Sequence, residues 1–575
     1  MISFESVKSG GSYIAERALR FLSSEVRGMH EAAYLLAIFA FGSQILALFR
    51  DRLLAAVFGA GHTLDLYYAA FRVPDFLFAT VASLFSLYAL LPILSRLREE
   101  REELMISFLR DILWVFLAGM AIVAAIAYAL APHLAPFVAP GIAADPAARD
   151  ELVLLMRILL LQPILLGASN TIAALTQLRH RFVLYSVSPL LYNLGIIFGA
   201  LVLYPRFGVA GLGFGVVLGA ALHMLIQVPY FLAEKRGDRI PMKRLLSGVS
   251  EVLSLSIPRT LALASTQISL LIIVAMASFL AAGSIAVFTF AYNLQSVPLT
   301  IIGVSYSVAA FPTLARLFAQ GQRDELSRYI EAALRHIVFW SIPAMVFMII
   351  LRAQVVRTIL GAGLFDWTAT KLTAAALALF VLSLTAQSIT LLIARAYYAT
   401  GNTRKPLYFG CIDIAVSVVS ALALVAFFRH SDFFRTFIVT LLRVDDVPGA
   451  AVLMLALGYA LGSIAEFAVA YLYFTRDFLI RAASIRRLVF ESFGASVIGG
   501  AVSYATLTVT GNAININTTI GVFLEGALAG VTGIAVAVLV LWLLKNRELH
   551  EAWVAVRRRF VDTPKVLAVE PSDVA

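Results

Sequence analysis

The sequence predicts an all-α polytopic membrane protein with about 14 transmembrane helices: two six-helix lobes related by a pseudo-twofold axis, plus two C-terminal helices. Three observations predict it. The 575-residue chain is 61% hydrophobic and only 14% charged, whereas a water-soluble chain is nearer half apolar and a quarter charged. Apolar windows of ~20 residues, the length that crosses a bilayer core, recur from Glu31 to Lys545. The chain also repeats itself: "YALLPILSRLREEREEL" around Pro92 returns as "VAAFPTLARLFAQGQRDEL" around Pro312, a sign of duplicated halves.

The elements follow in order. Residues 1–30 lack the pattern of a cleaved signal peptide. Within them "SYIAERALRFLSS" reads as an amphipathic cytoplasmic helix, with Ile14, Leu19 and Leu22 facing one way toward the membrane surface. The six windows of the N-terminal lobe (31–235) are 33–58, 66–94, 107–136, 151–177, 182–204 and 208–232. Those of the C-terminal lobe (245–480) are 251–282, 284–314, 333–360, 371–399, 406–428 and 450–475. Windows 488–510 and 517–544 (within 485–545) stand outside the repeat, and a basic tail (546–575) closes the chain.

Loops after even-numbered windows are basic, such as "SRLREEREEL", "RHR", "EKRGDRIPMKR", "GNTRKP" and "VRRRF". Those after odd-numbered ones, such as "GAGH", "AAGS" and "GAGLFDW", are not, so both termini are expected in the cytoplasm. The same sidedness in both halves makes the repeat parallel. Sites are then expected at the lobe interface near the midplane, with rocking of the lobes as the mechanism. One outer loop breaks the charge pattern. "RHSDFFRTFIVTLLRVDDVPG" carries Arg429, Arg435 and Arg443 and is partly amphipathic, as for a segment lying along the outer membrane surface.

Several function classes are excluded. The net charge of +10 sits in short loops between apolar runs, which argues against nucleic acid. Cys411 is the single cysteine, so disulfides and thiolate metal sites are out. No phosphate-binding loop, H-E-x-x-H or G-x-S-x-G pattern occurs, and neither an enzyme nor a metal site is expected. Glycines in "GVAGLGFGVVLGAAL" are read as close helix packing, and His223 as a packed or pore-facing histidine.

Intramembrane charge is the informative signal, because a charge at bilayer depth costs at least ~2.5–3.5 kcal/mol. Arg50, Asp51 and Arg52 close the first window, Asp65, Arg72 and Asp75 lie near or within the second, and Arg157 in the fourth. Arg259 is in the seventh, Arg395 in the tenth, and Asp413, Glu466, Glu491 and Glu525 in the eleventh to fourteenth. Arg52, Asp75, Arg395 and Glu491 sit close to window ends, where snorkelling or local pairing is as good a reading as a cavity role. Arg50 and Arg259 lie deeper, on helices that open each repeat, and are assigned to a cavity. Guanidinium groups there suit a phosphate-bearing ligand.

The stretches "FRDRLLAAVFGAGHTLDLYYAAFRVPDFL", "ALLPILSRL", "LRHRFVLYSVSPLLYNLGI", "STQISLLIIVAMASFLAAGSIAVFTFAYNL", "AAFPTLARL" and "RAYYATGNTRKP" resemble, in order over roughly 33 to 545, the MurJ (MviN) lipid II flippases. These belong to the multidrug/oligosaccharidyl-lipid/polysaccharide exporter superfamily. The resemblance implies a central cavity for the diphosphate and sugars of a peptidoglycan precursor, and a groove by the last two helices for its polyprenyl tail. It implies transfer of a lipid-linked glycan from the inner to the outer leaflet of the bacterial cytoplasmic membrane. No cofactor is implied; the drive is a coupling ion (Na+ or H+) or the membrane potential, and cell-wall synthesis proteins and membrane lipids are the other partners.

Residue by residue, the family's "R-D" falls on Arg50 and Asp51, and its outer-loop aspartate on Asp65. Other family positions are altered: the earlier arginine of the first helix is Gln44, the second-helix arginine is Phe78 and the glutamate Ser83. The eighth-helix "A-D-R" is Ala291, Tyr292 and Asn293. Replacement cations are sought in Arg259 and Arg72, and Asp413 and Glu466 are the candidates for ion coupling. The altered arginines keep two alternatives open: export of another polyprenyl-linked oligosaccharide, or a non-transporting scaffold of the wall machinery.

Overall fold

The computed structural model describes residues 29–560 apart from 86, 180, 235–239, 446, 481, 512, 513, 516 and 517. The expected N-terminal amphipathic segment and the tail beyond Phe560 lie outside the described residues. No strand occurs among the described residues. Eleven helices there are long and apolar enough to cross a membrane, twelve with the pair Trp367–Val381 and Leu384–Ala399, bent by 46°. Two further helices, Met29–Phe58 and Met242–Ala277, of 30 and 36 residues, fill the first and seventh expected windows. The fourteen-helix expectation therefore holds.

We label the spans α1 (Met29–Phe58), α2 (His62–Phe85), α3 (Glu102–Val138), α4 (Pro146–Leu178), α5 (Phe182–Phe207), α6 (Val209–Ala233) and α7 (Met242–Ala277). The series continues with α8 (Ser284–Ala319), α9 (Arg323–Ile350), α10 (Trp367–Val381 with Leu384–Ala399) and α11 (Arg404–His430). It ends with α12 (Val452–Asp477), α13 (Ile485–Thr510) and α14 (Thr519–Leu543). One boundary departs from the sequence reading: the second window ends inside a further helix, Leu87–Glu100. The first turns of α7 are polar. Arg244 pairs there with Glu100, and Glu251 accepts from Arg96 at 2.7 and 3.1 Å. Such exposed pairs are worth at most ~1 kcal/mol each and mark a helix end outside the bilayer.

The chain divides into two compact units. The first comprises Met1–Val297, Val355–Ser383 and Gly401–Ala470. In it α1 exposes Ile38, Phe41, Ile45 and Phe49 along one face, which is the face for lipid. Arg50 and Asp51, 100° and 200° further round an ideal helix than Phe49 at about 3.6 residues per turn, are thereby turned inward. α5 and α6 cross backbone to backbone: a Cβ on Gly215 would sit 2.4 Å from the Gly199 Cα. That contact fulfils the close-packing reading of the glycine-rich run. Gly215→Val is expected to destabilise the protein by about 1–3 kcal/mol or more, seen as a lower melting temperature in detergent. Gly119→Ala, with nothing within 4 Å of the added Cβ, is the neutral control.

The second unit comprises Pro298–Gln354, Leu384–Thr400 and Tyr471–Ala575. Here α13 and α14 meet at Gly499 and Gly533, where a Cβ on Gly499 would approach the Gly533 carbonyl to 2.4 Å. The helix Arg547–Phe560 docks on α9, with buried Glu548 paired to Arg335 and Glu551 3.6 Å from His336. Arg395 donates to the Ser307 hydroxyl at 3.0 Å, so it is a local tie between α10 and α8.

Candidate functional site

The last turns of α1 carry the opening charges of the site. Arg50 donates from Nε and Nη2 to Asp51 Oδ1 at 2.9 and 2.8 Å, and from Nη1 to Asn193 Oδ1 on α5 at 2.8 Å. The second Asp51 oxygen accepts from Asn293 Nδ2 on α8 at 3.1 Å, and Asp51 is only 4% exposed. One buried ion pair thus ties α1 to α5 and α8. The guanidinium offers donors in a fixed plane, so its charge is spent internally in this conformation.

Arg52 does different work from its neighbour. It donates to the carbonyls of Thr358 and Ile359, at 2.5 and 3.2 Å, in the last turn of the helix Arg352–Leu360. Cations are favoured there because the final carbonyls of a helix lack backbone partners and carry partial negative charge. Close by, Leu364 donates its backbone N–H to Ala56 at 2.8 Å.

Asp65 completes the closure of this end. Its two oxygens accept from the backbone N–H groups of Gly283 and Ala286, at 2.6 and 2.8 Å, and the residue is 4% exposed. Those are unpaired donors at the start of α8, where a carboxylate is favoured by the helix dipole. Gly283 has φ +90°, and a Cβ on it would lie 2.1 Å from the Ala60 carbonyl. Only glycine fits that turn.

The other expected positions lie as follows. Arg72 on α2 is half-buried and donates from Nε to its own helix at Tyr68 O, 3.2 Å away. Asp75, one turn on, is hydrogen-bonded by Gln162. Gln44 is half-buried on α1. Phe78 is half-buried, while the hydroxyls of Ser83 and Thr260 are hydrogen-bonded at 2.8 Å, joining α2 to α7. Arg259 precedes that threonine in α7; its side chain lies outside the described residues.

Ala291 is fully buried, and Tyr292 packs edge-on against Phe380 and Tyr459, with ring centroids 6.0 and 5.8 Å apart. The positions that resemble "A-D-R" are therefore an aromatic cluster and a neutral donor to Asp51.

A second polar group joins α11 and α12. Asp413 Oδ1 accepts from Ser417 at 3.3 Å and from Ser463 at 3.4 Å, and Glu466 follows Ser463 by one helical turn. No group of three or more His, Cys, Asp or Glu side chains placed to hold a metal ion occurs among the described residues. His223 is held by Ser169, 2.8 Å from its Nδ1, within a buried network that includes Gln227. That network is structural packing of α4 and α6.

The structure brings Arg50, Asp51 and Asn293 together and leaves Asp65 at the closed end with backbone partners. Sequence reasoning missed Asn193 and the Tyr292–Phe380–Tyr459 cluster. For Asn193 a signal existed: it is the single amide in an otherwise apolar or hydroxylated helix run, "FVLYSVSPLLYNLGIIF".

Comparison with known proteins gives a consistent answer. The family model described as lipid II flippase MurJ matches residues 54–434. The lipid II flippase MurJ of Burkholderia cenocepacia is 26% identical over 391 residues, covering 66% of this chain and 75% of that protein. A probable lipid II flippase MurJ of Rhizobium tropici is 27% identical, covering 67% and 73%. A solved lipid II flippase MurJ in an inward closed conformation superposes with a TM-score of 0.68 at 20% identity, over 89% of this chain and 100% of that one. An inward-facing multidrug resistance MATE family transporter of the MOP superfamily follows with a TM-score of 0.61 at 16% identity, over 77% and 96%.

Proposed function

The chain belongs to the lipid II flippase MurJ family, and from that premise we propose that it transfers lipid II from the inner to the outer leaflet of the bacterial cytoplasmic membrane. The observation that carries this reading is the family match from residue 54 to 434, which begins just after Arg50 and Asp51 and contains their partners Asn193 and Asn293. Both termini are cytoplasmic in this reading, so the end fastened by Asp65 and Arg52 faces outward. The fastened end supports an inward-accessible resting state, ready for a substrate made on the cytoplasmic side.

Alternating access then has a defined first act on the site. The diphosphate draws Arg50 away from Asp51, and a guanidinium freed in a low-dielectric cavity holds phosphate oxygens bidentately. Arg72, on the neighbouring α2, is the second cation. Asp51 then keeps only Asn293 on α8, while α1 loses the tie to α5 that Arg50 made through Asn193. Asp413, with Ser417, Ser463 and Glu466, is the proposed ion-coupling group, for Na+ or H+. Cell-wall synthesis proteins are the proposed protein partners.

A leaflet-accessibility assay for lipid II in proteoliposomes tests the reading. The protein is expected to move lipid II, and Arg72→Gln to slow transfer about tenfold, the size of one lost charge-assisted hydrogen bond. The altered positions Gln44, Phe78 and Asn293 favour a second reading, a different polyprenyl-linked glycan. Movement of such a glycan but not of lipid II would select it. A protein that moves neither, and whose loss mislocalises wall-synthesis proteins, is a scaffold.

A further inference from the structure

The loop between α11 and α12 folds into an eleven-residue helix, Asp432–Leu442. Ser431 caps its start by accepting from Phe434 N–H at 3.3 Å, and Arg443 ends it in the left-handed conformation at φ 59°. Its circumference has three flanks. Ile438 is buried against the protein. Phe433, Phe437 and Leu441, four residues apart and so on one stripe, are 83%, 54% and 61% exposed. The third flank carries Arg435 and Thr436 and borders a cleft of about 470 Å³.

The cleft carries one charge of each sign. Besides Phe428 and Val439 it is lined by Arg435, whose guanidinium meets Asp432 at 2.6 Å, and by Asp445, which accepts from Thr440 at 2.7 Å. Both ends of the segment are tied to membrane-crossing helices, α11 ending at His430 and α12 starting at Val452. The stripe therefore cannot leave the bilayer boundary, and three large apolar side chains on one stripe there are suited to acyl chains.

We propose that this helix lies within the headgroup layer and that its cleft seats the headgroup of a phospholipid bearing a phosphate and a primary ammonium. The phosphate sits against Arg435 and the ammonium against Asp445. A single-charge anionic headgroup satisfies only one of these two groups, and a quaternary ammonium cannot donate to Asp445. The proposal is independent of the transported cargo.

Native mass spectrometry of the full chain with equimolar phosphatidylethanolamine, phosphatidylglycerol and phosphatidylcholine tests it. The ethanolamine lipid is expected to be retained preferentially. Arg435→Gln and Asp445→Asn should each lower its retention about tenfold, as for one lost hydrogen bond to a charged group. Arg429→Gln should not, and all variants should melt with the parent. Soluble phosphoethanolamine should fail to compete; competition would assign the site to a free metabolite and overturn the lipid reading. Equal retention of the three lipids, or retention unchanged in both cleft variants, would also overturn it.

A nitroxide at Phe437→Cys, in a Cys411→Ser background, should be quenched by oxygen and shielded from a water-soluble nickel reagent. The reverse accessibility at Thr436→Cys is expected. A Phe437 label open to nickel would sink the membrane placement.

Discussion

Asp65→Ala opens the fastened end of the protein. The substitution leaves the N–H groups of Gly283 and Ala286 buried without an acceptor, and each such orphan costs about 1–3 kcal/mol. The sum, about 2–6 kcal/mol, is a shift of roughly 30-fold or more in the equilibrium between fastened and opened forms. Asp65→Asn keeps one acceptor oxygen and lies between. The readout is labelling of Thr289→Cys, a buried α8 position, by an impermeant maleimide in a Cys411→Ser background. Labelling should accelerate in Asp65→Ala, and transfer of lipid II should fall because the resting state is lost. An unchanged labelling rate would show that Asp65 does not fasten this end.

Arg50→Ala is expected to lower stability by about 3–5 kcal/mol, because it strands the Asp51 carboxylate in a buried place without its cation. The double variant Arg50→Ala/Asp51→Ala removes the stranded charge and should recover most of that loss, although neither variant transports. A double-mutant cycle on melting in detergent measures the coupling. Arg50→Lys should not rescue, since an ammonium cannot donate in one plane to both Asp51 and Asn193. Equal destabilisation of Arg50→Ala and the double variant would mean that the stranded Asp51 carboxylate carries no cost.

The helices were legible because crossing a bilayer demands ~20 apolar residues wherever the chain does so. The seventh window was legible in the same way, and Met242–Ala277 forms one continuous helix there. Arg50 and Asp51 were legible as charges in an oily run. Their partners were not, since the register that sets Asn193 against Arg50 and Asn293 against Asp51 bridges separations of 143 and 242 residues. Asp65 stood out as a residue, but its task as a cap did not. Gly283, just ahead of the helix it caps, lies 218 residues further on, and local capping signals do not reach that far.

The docked helix Arg547–Phe560 bears on how this protein is handled at the bench. Glu548 is nearly sealed against Arg335, and Asn546 both donates to Glu491 at 2.7 Å and accepts from Leu549 N–H at 3.0 Å. Trimming the chain back to Leu544, a natural choice for a tidy expression boundary, would strip a counter-ion from α9 and an amide from α13 in a single cut. Purification tags and fluorescent reporters are better joined past Phe560, where they leave both attachments whole.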